Sequence, residues 1–470
     1  MERQDRNLEN KNFPDGDLNL LSGEGSGDSQ ERREARKKRR QRSQLIVFGG
    51  TGLAMVLLAV VLVVVVIAFT GHAREEQVQQ EQEESQQSVI EQLAATEEDL
   101  EPPPVEESTP EPTPEPDPEP TYEQKLDELV NAAIAEMPIE DKVAGLFIVT
   151  PEAITGVSRA IRAGDSTREA LEQYAVGGII YSSQNIRSED QLREMIDNTR
   201  QYSRYPLFIG VEEEGGSASS IAGAGLAELV SSAGEIGGSG DTNNAYQAGL
   251  TIGSYLSDFG FNLDFAPVAD LANVEGSVMR GRAYGQYAAV ASPYVSAMVR
   301  GLQEQGITAC LGHFPGIGST SDDTHDGLVS TDRSAEEFRS EEFTVFQAGI
   351  TAGARMIMVG HVGVPALSGD NTSASMSRAI VTDILRNELG YDGVVITDAM
   401  NMSAISEYYR SDQAAVLALR AGCDMVLMPE DFMMAYEGVL AAVADGTISE
   451  ERINDSLRRI YRIKYADMVE

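Results

Sequence analysis

The chain is short of cysteine, of histidine and of positive charge. Its 470 residues hold two Cys (Cys310 and Cys423), four His, and 36 Lys and Arg against 75 Asp and Glu, for a formal net charge of −39. Two thiols cannot build a disulfide framework, and without Cys/His ligand spacing they do not suggest a structural zinc site. An excess of negative charge on this scale argues against binding DNA or RNA by counterion release, so no nucleic-acid partner is expected. No GxGxxG or GxxxxGK[ST] follows the early apolar runs, which removes the usual nucleotide signatures. Neither HxH nor HExxH occurs, which leaves metal-dependent hydrolysis as a weak rival, and neither metal nor cofactor is expected. What the chain does have is 42% apolar residues, enough to fill a sizeable core and to exclude wholesale disorder.

Four segments of different character succeed one another. Residues 1–44 end in a basic cluster of eight Lys and Arg between Arg32 and Arg42. Leu45 to Thr70 is 26 residues without a formal charge, longer than the roughly 20 that a ~30 Å hydrocarbon core requires. It reads as one transmembrane helix contacting the lipid bilayer over 45–70. The basic flank places the N-terminus in the cytoplasm. The length of the preceding region and of the span favours an uncleaved signal anchor over a cleaved signal peptide, so the remainder is expected to be extracellular on a single-pass membrane protein. Residues 71–121 carry 16 acidic residues against Arg74 alone, first in a Gln/Glu tract and then in PPPVEESTPEPTPEPDPEPT. Such a segment cannot bury a core, and it is expected to be a disordered, semi-rigid spacer.

From 122 to 470 the composition becomes globular. Eight short apolar runs, GLFIV, GGIIYS, PLFIGV, NLDFAP, TACLGH, ARMIMVGH, GVVITD and DMVLMP, alternate with helix-like stretches. Runs of this length between helices read as buried parallel strands. Ser188 with Gln191, and Ser334 with Glu337, stand at capping-box spacing before two of the helices. Eight βα units in about 350 residues predict an α/β fold, a (β/α)8 TIM-type barrel, with a doubly wound open sheet as the competitor.

Barrel chemistry is built where strands end. Glu212, Glu213 and Glu214 follow the third run; Asp264 lies in the fourth, which leads to Asp270; His313 ends the fifth, His361 the sixth and Asp398 the seventh. Apart from His72 beside the span, every His falls in the barrel region: two at strand ends, and His325 in the long loop Gly312 to Gly327. Each alone reads equally well as a hydrogen-bonded structural group, but the three together point to a site. Asp323 stands two residues before His325, where a carboxylate can fix an imidazole in one tautomer and stabilise its charged form, a general acid/base unit. Asp398 closes an apolar strand, a costly place for a carboxylate unless it is used or paired. A carboxylate nucleophile facing a separate acid/base is the arrangement of retaining glycosidases.

PLFIGVEEEGG, FNLDFAPVAD, RGRAYG, GHFPGIGSTSDDTH, MVGHVGVPAL, GVVITDAMNM and AGCDMVLMP, in this order, resemble the N-terminal barrel of family-3 glycoside hydrolases, specifically the single-domain β-N-acetylhexosaminidase branch. The resemblance runs from about 124 to 467. It implies that Asp398 is the nucleophile and that His325, held by Asp323, is the acid/base, with Glu212, Arg282, His313 and His361 among the substrate-binding residues. The C-terminal helix SEERINDSLRRIYRIKY comes without the second sandwich domain of many family-3 glucosidases, which also fits that branch. The chain departs from the pattern in the sugar grip: Gly312 stands where Lys is usual, Ser217 and Ser220 where two Arg are usual, Glu212 where Asp is usual, and Ile317 and Gly318 in place of the HG of a PGHG turn. Charged hydrogen bonds worth about 1.5–3 kcal/mol each are thereby lost. The implied protein is a membrane-anchored extracytoplasmic retaining glycosidase, β-N-acetylhexosaminidase-like, acting on terminal amino sugars of cell-wall or other glycans, peptidoglycan-derived ones included. The alternative is a catalytically weakened or inactive barrel that binds cell-wall glycan.

Overall fold

The computed structural model describes residues 120–469. The basic tail 1–44, the expected membrane span 45–70 and all but the last two residues of the expected linker 71–121 lie outside the described residues. Among the described residues no helix is long and apolar enough to cross a membrane.

The first helix, Tyr122–Glu136, starts where Thr121 and Gln124 satisfy one another's backbone N–H groups in a capping box. It buries Leu126, Val130 and Ile134, spaced four apart on one face, and packs beside the C-terminal helix Glu450–Lys464, which Ser449 caps. All eight apolar runs become barrel strands: β1 Phe147–Val149, β2 Gly178–Ile180, β3 Phe208–Val211, β4 Leu263–Asp264, β5 Thr308–Phe314, β6 Met356–Val359, β7 Val394–Ala399 and β8 Met425–Leu427. Every neighbouring pair is parallel and the order is sequential. Pairing of Phe147 with Val426 closes β1 on β8, which removes the open-sheet alternative. Strands covered on both faces have no wet side, and this is why the runs are continuous rather than alternating.

The helix starts held unequally. Ser334 and Glu337 form the full reciprocal box. Ser188 accepts from the Gln191 N–H, but the Gln191 amide oxygen reaches one residue further back, to the Arg187 N–H at 2.8 Å.

Two irregularities shape the C-terminal ends of the strands. In the β7–β8 pairing, Ile396 faces Met425 and Ala399 faces Leu427, so Thr397 and Asp398 share the space of one partner residue. In the β5–β6 pairing, Leu311 faces Ile357 and Phe314 faces Val359, and the extra residue falls at Gly312 and His313. Bulges of this kind re-aim side chains. At the first, the Thr397 hydroxyl accepts the Leu427 N–H at 3.0 Å.

Cys310 lies within β5 and Cys423 two residues before β8; these strands are not neighbours, and both residues are buried free thiols. Burial pushes both thiols up, Cys423 to about 12. They behave as apolar filler rather than as nucleophiles.

Candidate active site

The C-terminal ends of the strands carry a ring of polar groups, each fixed by its own backbone surroundings. Asp398 sits in the β7 bulge, 8% exposed, and its Oδ1 accepts the Ala399 N–H at 2.7 Å. Among the described residues, Oδ2 makes no hydrogen bond within the protein. The strand end therefore presents one oriented, unoccupied carboxylate oxygen.

His361, just beyond β6, is fully buried. Its Nε2 lies 3.0 Å from the Ala399 carbonyl, so Nε2 carries the proton, and Nδ1 then accepts from the Ser375 hydroxyl at 2.9 Å. Burial holds this imidazole below its ordinary value, in keeping with a neutral ring. Both nitrogens are spent on the protein, so in this arrangement His361 holds the peptide after Asp398 and offers no ring nitrogen to a sugar hydroxyl. The charges of Asp398, His313 and His325 all bear on this ring.

His313 stands at the β5 bulge. Asp270 Oδ2 accepts from its backbone N–H at 3.0 Å and its Nδ1–H at 2.8 Å, while Oδ1 accepts the Ile317 and Gly318 N–H groups. Among the described residues Nε2 is left without a hydrogen-bond partner. Burial pulls the imidazole down, but the hydrogen bond and charge of Asp270 outweigh it and the net shift is upward. A raised folded value favours the folded state fully below the unfolded value near 6.5, and that contribution fades as pH rises through the folded value. Urea midpoints at pH 5.5 and 8.5 should therefore fall with pH more in the wild type than in His313→Asn; equal slopes would show that the pair contributes no linkage.

The third strand end separates three consecutive glutamates. Glu213 is fully buried and structural, accepting from the Ile221 and Ala222 N–H groups and the Tyr255 hydroxyl. Glu214 takes Arg282 in a two-point grip, at 2.8 and 2.5 Å. Glu212 remains open to the mouth, where partial withdrawal from water and then the charges of Glu214 and Asp398 push its carboxyl up, against Arg282 and His313. The turn after them needs its glycines. Gly215 has φ +93°, and a Cβ there would lie 2.7 Å from the Ser231 carbonyl. Ser217 and Ser220 flank this turn, and Ser220 donates its N–H to the Glu212 carbonyl.

The long loop after β5 folds back over the mouth. Its Thr324 is buried, and the Thr324 carbonyl accepts the Ala404 N–H from the segment following Asp398. A two-residue parallel ladder joins Val329–Ser330 to Val362–Gly363 beyond β6. Asp323 Oδ1 accepts both the His325 backbone N–H, 2.9 Å, and its Nδ1–H, 2.8 Å. Burial raises the Asp323 carboxyl, but the two His325 hydrogen bonds dominate and hold it below the usual carboxylate range. With Nδ1 bound, the exposed Nε2 is the nitrogen free to exchange protons.

The structure thus brings Asp398, His325, Asp323, Glu212, Arg282 and His313 to one rim, with His361 beneath it. Sequence reading did not assign roles to Glu214, Asp270 and Ser375, which hold Arg282, His313 and His361. Asp270 was legible as a polar residue after a strand. Period-two alternation in EEEGG could have separated inward Glu213 from its neighbours, whereas nothing local marks Ser375.

The match to known families agrees with this geometry. The glycosyl hydrolase family 3 N-terminal domain matches residues 124–463. A β-hexosaminidase of Nitrosomonas eutropha is 33% identical over 275 residues, 57% of this chain and 77% of that protein. Beta-hexosaminidase A of Pseudoalteromonas piscicida is 29% identical over 326 residues, 63% of this chain and 54% of that one. A Cellulomonas fimi β-N-acetylglucosaminidase/β-glucosidase is likewise spanned over only 59% of its length. Among solved structures, a family-3 β-N-acetylglucosaminidase from Paenibacillus sp. str. FPU-7 superposes with TM-score 0.66 at 33% identity, covering 71% of this chain and 63% of that one. With a barrel closed in sequential order, this ring of side chains and a family match over most of the described residues, the chain belongs to glycosyl hydrolase family 3, beside its β-hexosaminidases.

Proposed function

We propose that the protein is a retaining glycosidase of the β-N-acetylhexosaminidase type, anchored in the cell membrane through 45–70, with its barrel outside, cleaving terminal amino sugars from cell-wall or other glycans. The observation that carries this reading is a half-free Asp398 carboxylate at a strand end, with the loop tied to the segment just after it carrying a His325 whose Nδ1 is already engaged by Asp323. Asp398 Oδ2 attacks the anomeric carbon while His325 Nε2–H protonates the departing oxygen. The glycosyl ester so formed is then opened by a water, or another acceptor, that the neutral Nε2 deprotonates. The assay is the barrel from Tyr122 onward on aryl N-acetylglucosaminides and muropeptides. Turnover supports the proposal, and full activity in chelator would dispose of a metal-dependent reaction.

A glycan-binding barrel without turnover is the second reading, and the missing grip residues favour it. A Cβ on Gly312 would meet only the Met358 sulfur, at 3.9 Å, so the backbone there admits the first atom of a longer side chain. Gly312→Lys with Ser220→Arg should therefore raise kcat/KM on N-acetylglucosaminides, on the order of tenfold if one charged contact is regained. No gain would mean that the pocket serves a different glycan. The anchor has its own test. Protease added to intact protoplasts should remove the barrel, and survival until lysis would put it inside.

A further inference from the structure

At the opposite end of the barrel, the helices Ala379–Glu388, Ser411–Ala421 and Glu450–Lys464 enclose a cavity of about 500 Å³, within the range of small-molecule sites. Its walls carry Arg378, Arg386, Arg420, Arg452 and Arg459 against two carboxylates, Asp392 and Asp455. Five guanidinium groups around one cavity are unexpected in a chain of net charge −39.

Part of the cluster is structural. Asp424, fully buried ahead of β8, accepts from the Val395 N–H, the Ser456 hydroxyl, Arg386 and Arg459, and so ties the last helix to the barrel floor. Arg386 also donates to the carbonyls of Tyr391 and Gly393, and Arg452 to that of Cys423. The remaining charge is not matched. Asp392 is taken by Arg459 and Asp455 by Arg458. Arg378 has only Asp383 at 4.0 Å, and Arg420 has no partner among the described residues. Burial, and beyond it the charges of Arg459 and Arg386, hold the Arg452 guanidinium below its ordinary value despite Asp424. An adjoining cavity of about 560 Å³ provides a contrast. Its Arg458 and Arg462 are each held by two acidic side chains.

We infer that this cavity is a binding site for a phosphate group, free or carried as an ester on a body of sugar or polyol size. Guanidinium forks match the oxygens of phosphate in two-point hydrogen bonds, and Arg386 and Arg452 are already oriented by backbone and Asp424 while Arg378 and Arg420 keep donors to spare. The site is remote from the chemistry. Asp392 and Asp398 are six residues apart along the chain that forms β7, about 20 Å at ~3.3 Å per residue, so the mouth stays clear when the cavity is filled.

The test is calorimetric titration of the full-length protein, in non-ionic detergent at low salt, with inorganic phosphate, with glycerol phosphate, and with glycerol as the uncharged control. Both phosphates should bind saturably with submillimolar Kd, weaken as salt is added, and lose at least tenfold in Arg378→Gln/Arg420→Gln, whose exposed positions leave the melting temperature unchanged. Tighter binding of glycerol phosphate would identify an esterified source, and equal binding the free ion. No saturable binding of either phosphate, or binding unchanged in the double variant, overturns the site. The latter result would place the phosphate elsewhere, the catalytic mouth included.

Discussion

Asp398→Asn should lower turnover by at least about 10³-fold on every substrate while leaving the barrel folded, because it removes the nucleophile from a covalent route without changing its shape. The amide oxygen can still accept the Ala399 N–H that orients the aspartate, so the bulge and the melting temperature should be retained. What is lost is the charge on the free oxygen. Circular dichroism and a thermal melt would confirm the fold beside the assay. Wild-type rates in Asp398→Asn would sink the assignment, and no turnover in either protein would favour the binding barrel.

His325→Ala should behave differently, and the difference depends on the leaving group. Poor leaving groups need the proton that Nε2 supplies, and their hydrolysis should drop by roughly 10²–10⁴-fold. Dinitrophenyl glycosides need little protonation, so their first step should survive. The second step, deprived of its base, should then trap the glycosyl ester on Asp398, visible as a burst of phenolate and as added mass on the peptide containing Asp398. Asp323→Asn should fall between these, since the ring loses the partner that fixes Nδ1 but keeps its own chemistry. A loss in His325→Ala that is uniform across leaving groups would show that the residue holds the loop rather than moving protons.

The barrel was legible because each strand is covered on both sides: PLFIGV and GVVITD have no polar alternation to confuse with a surface strand, and every run found its place. The site was legible in part for the same reason, since Asp398 and His313 interrupt apolar runs at their ends. Their supports were not. Asp270 is 43 residues from His313 and Ser375 is 14 from His361, so it takes the pairing of β4 with β5, and the return of the loop after β6, to bring each pair together. His361 shows the limit clearly. A histidine at a strand end reads as a ligand, yet two hydrogen bonds to the protein consume it. The opposite end of the barrel was the least legible region. Arg378 stands at the start of one helix and Arg420 and Arg459 lie in two others, and no local pattern announces that they share a wall.

The bulge in β7 makes the aim of the nucleophile adjustable independently of the wall that carries it. From Val394 to Thr397 the strand runs in register with β6, but against β8 the count is off by one after Ile396, and a single hydroxyl serves as the peg that takes up the slack. Valine would fill the same space and leave the wall intact while withdrawing that peg. The barrel would then stay folded but melt lower, because the buried Leu427 N–H is left without an acceptor, and it would lose reproducibility in where its carboxylate points. Precision of this sort can drift by single substitutions without threatening the fold, which gives a rim like this one freedom to turn toward a new sugar while its foundations stay fixed.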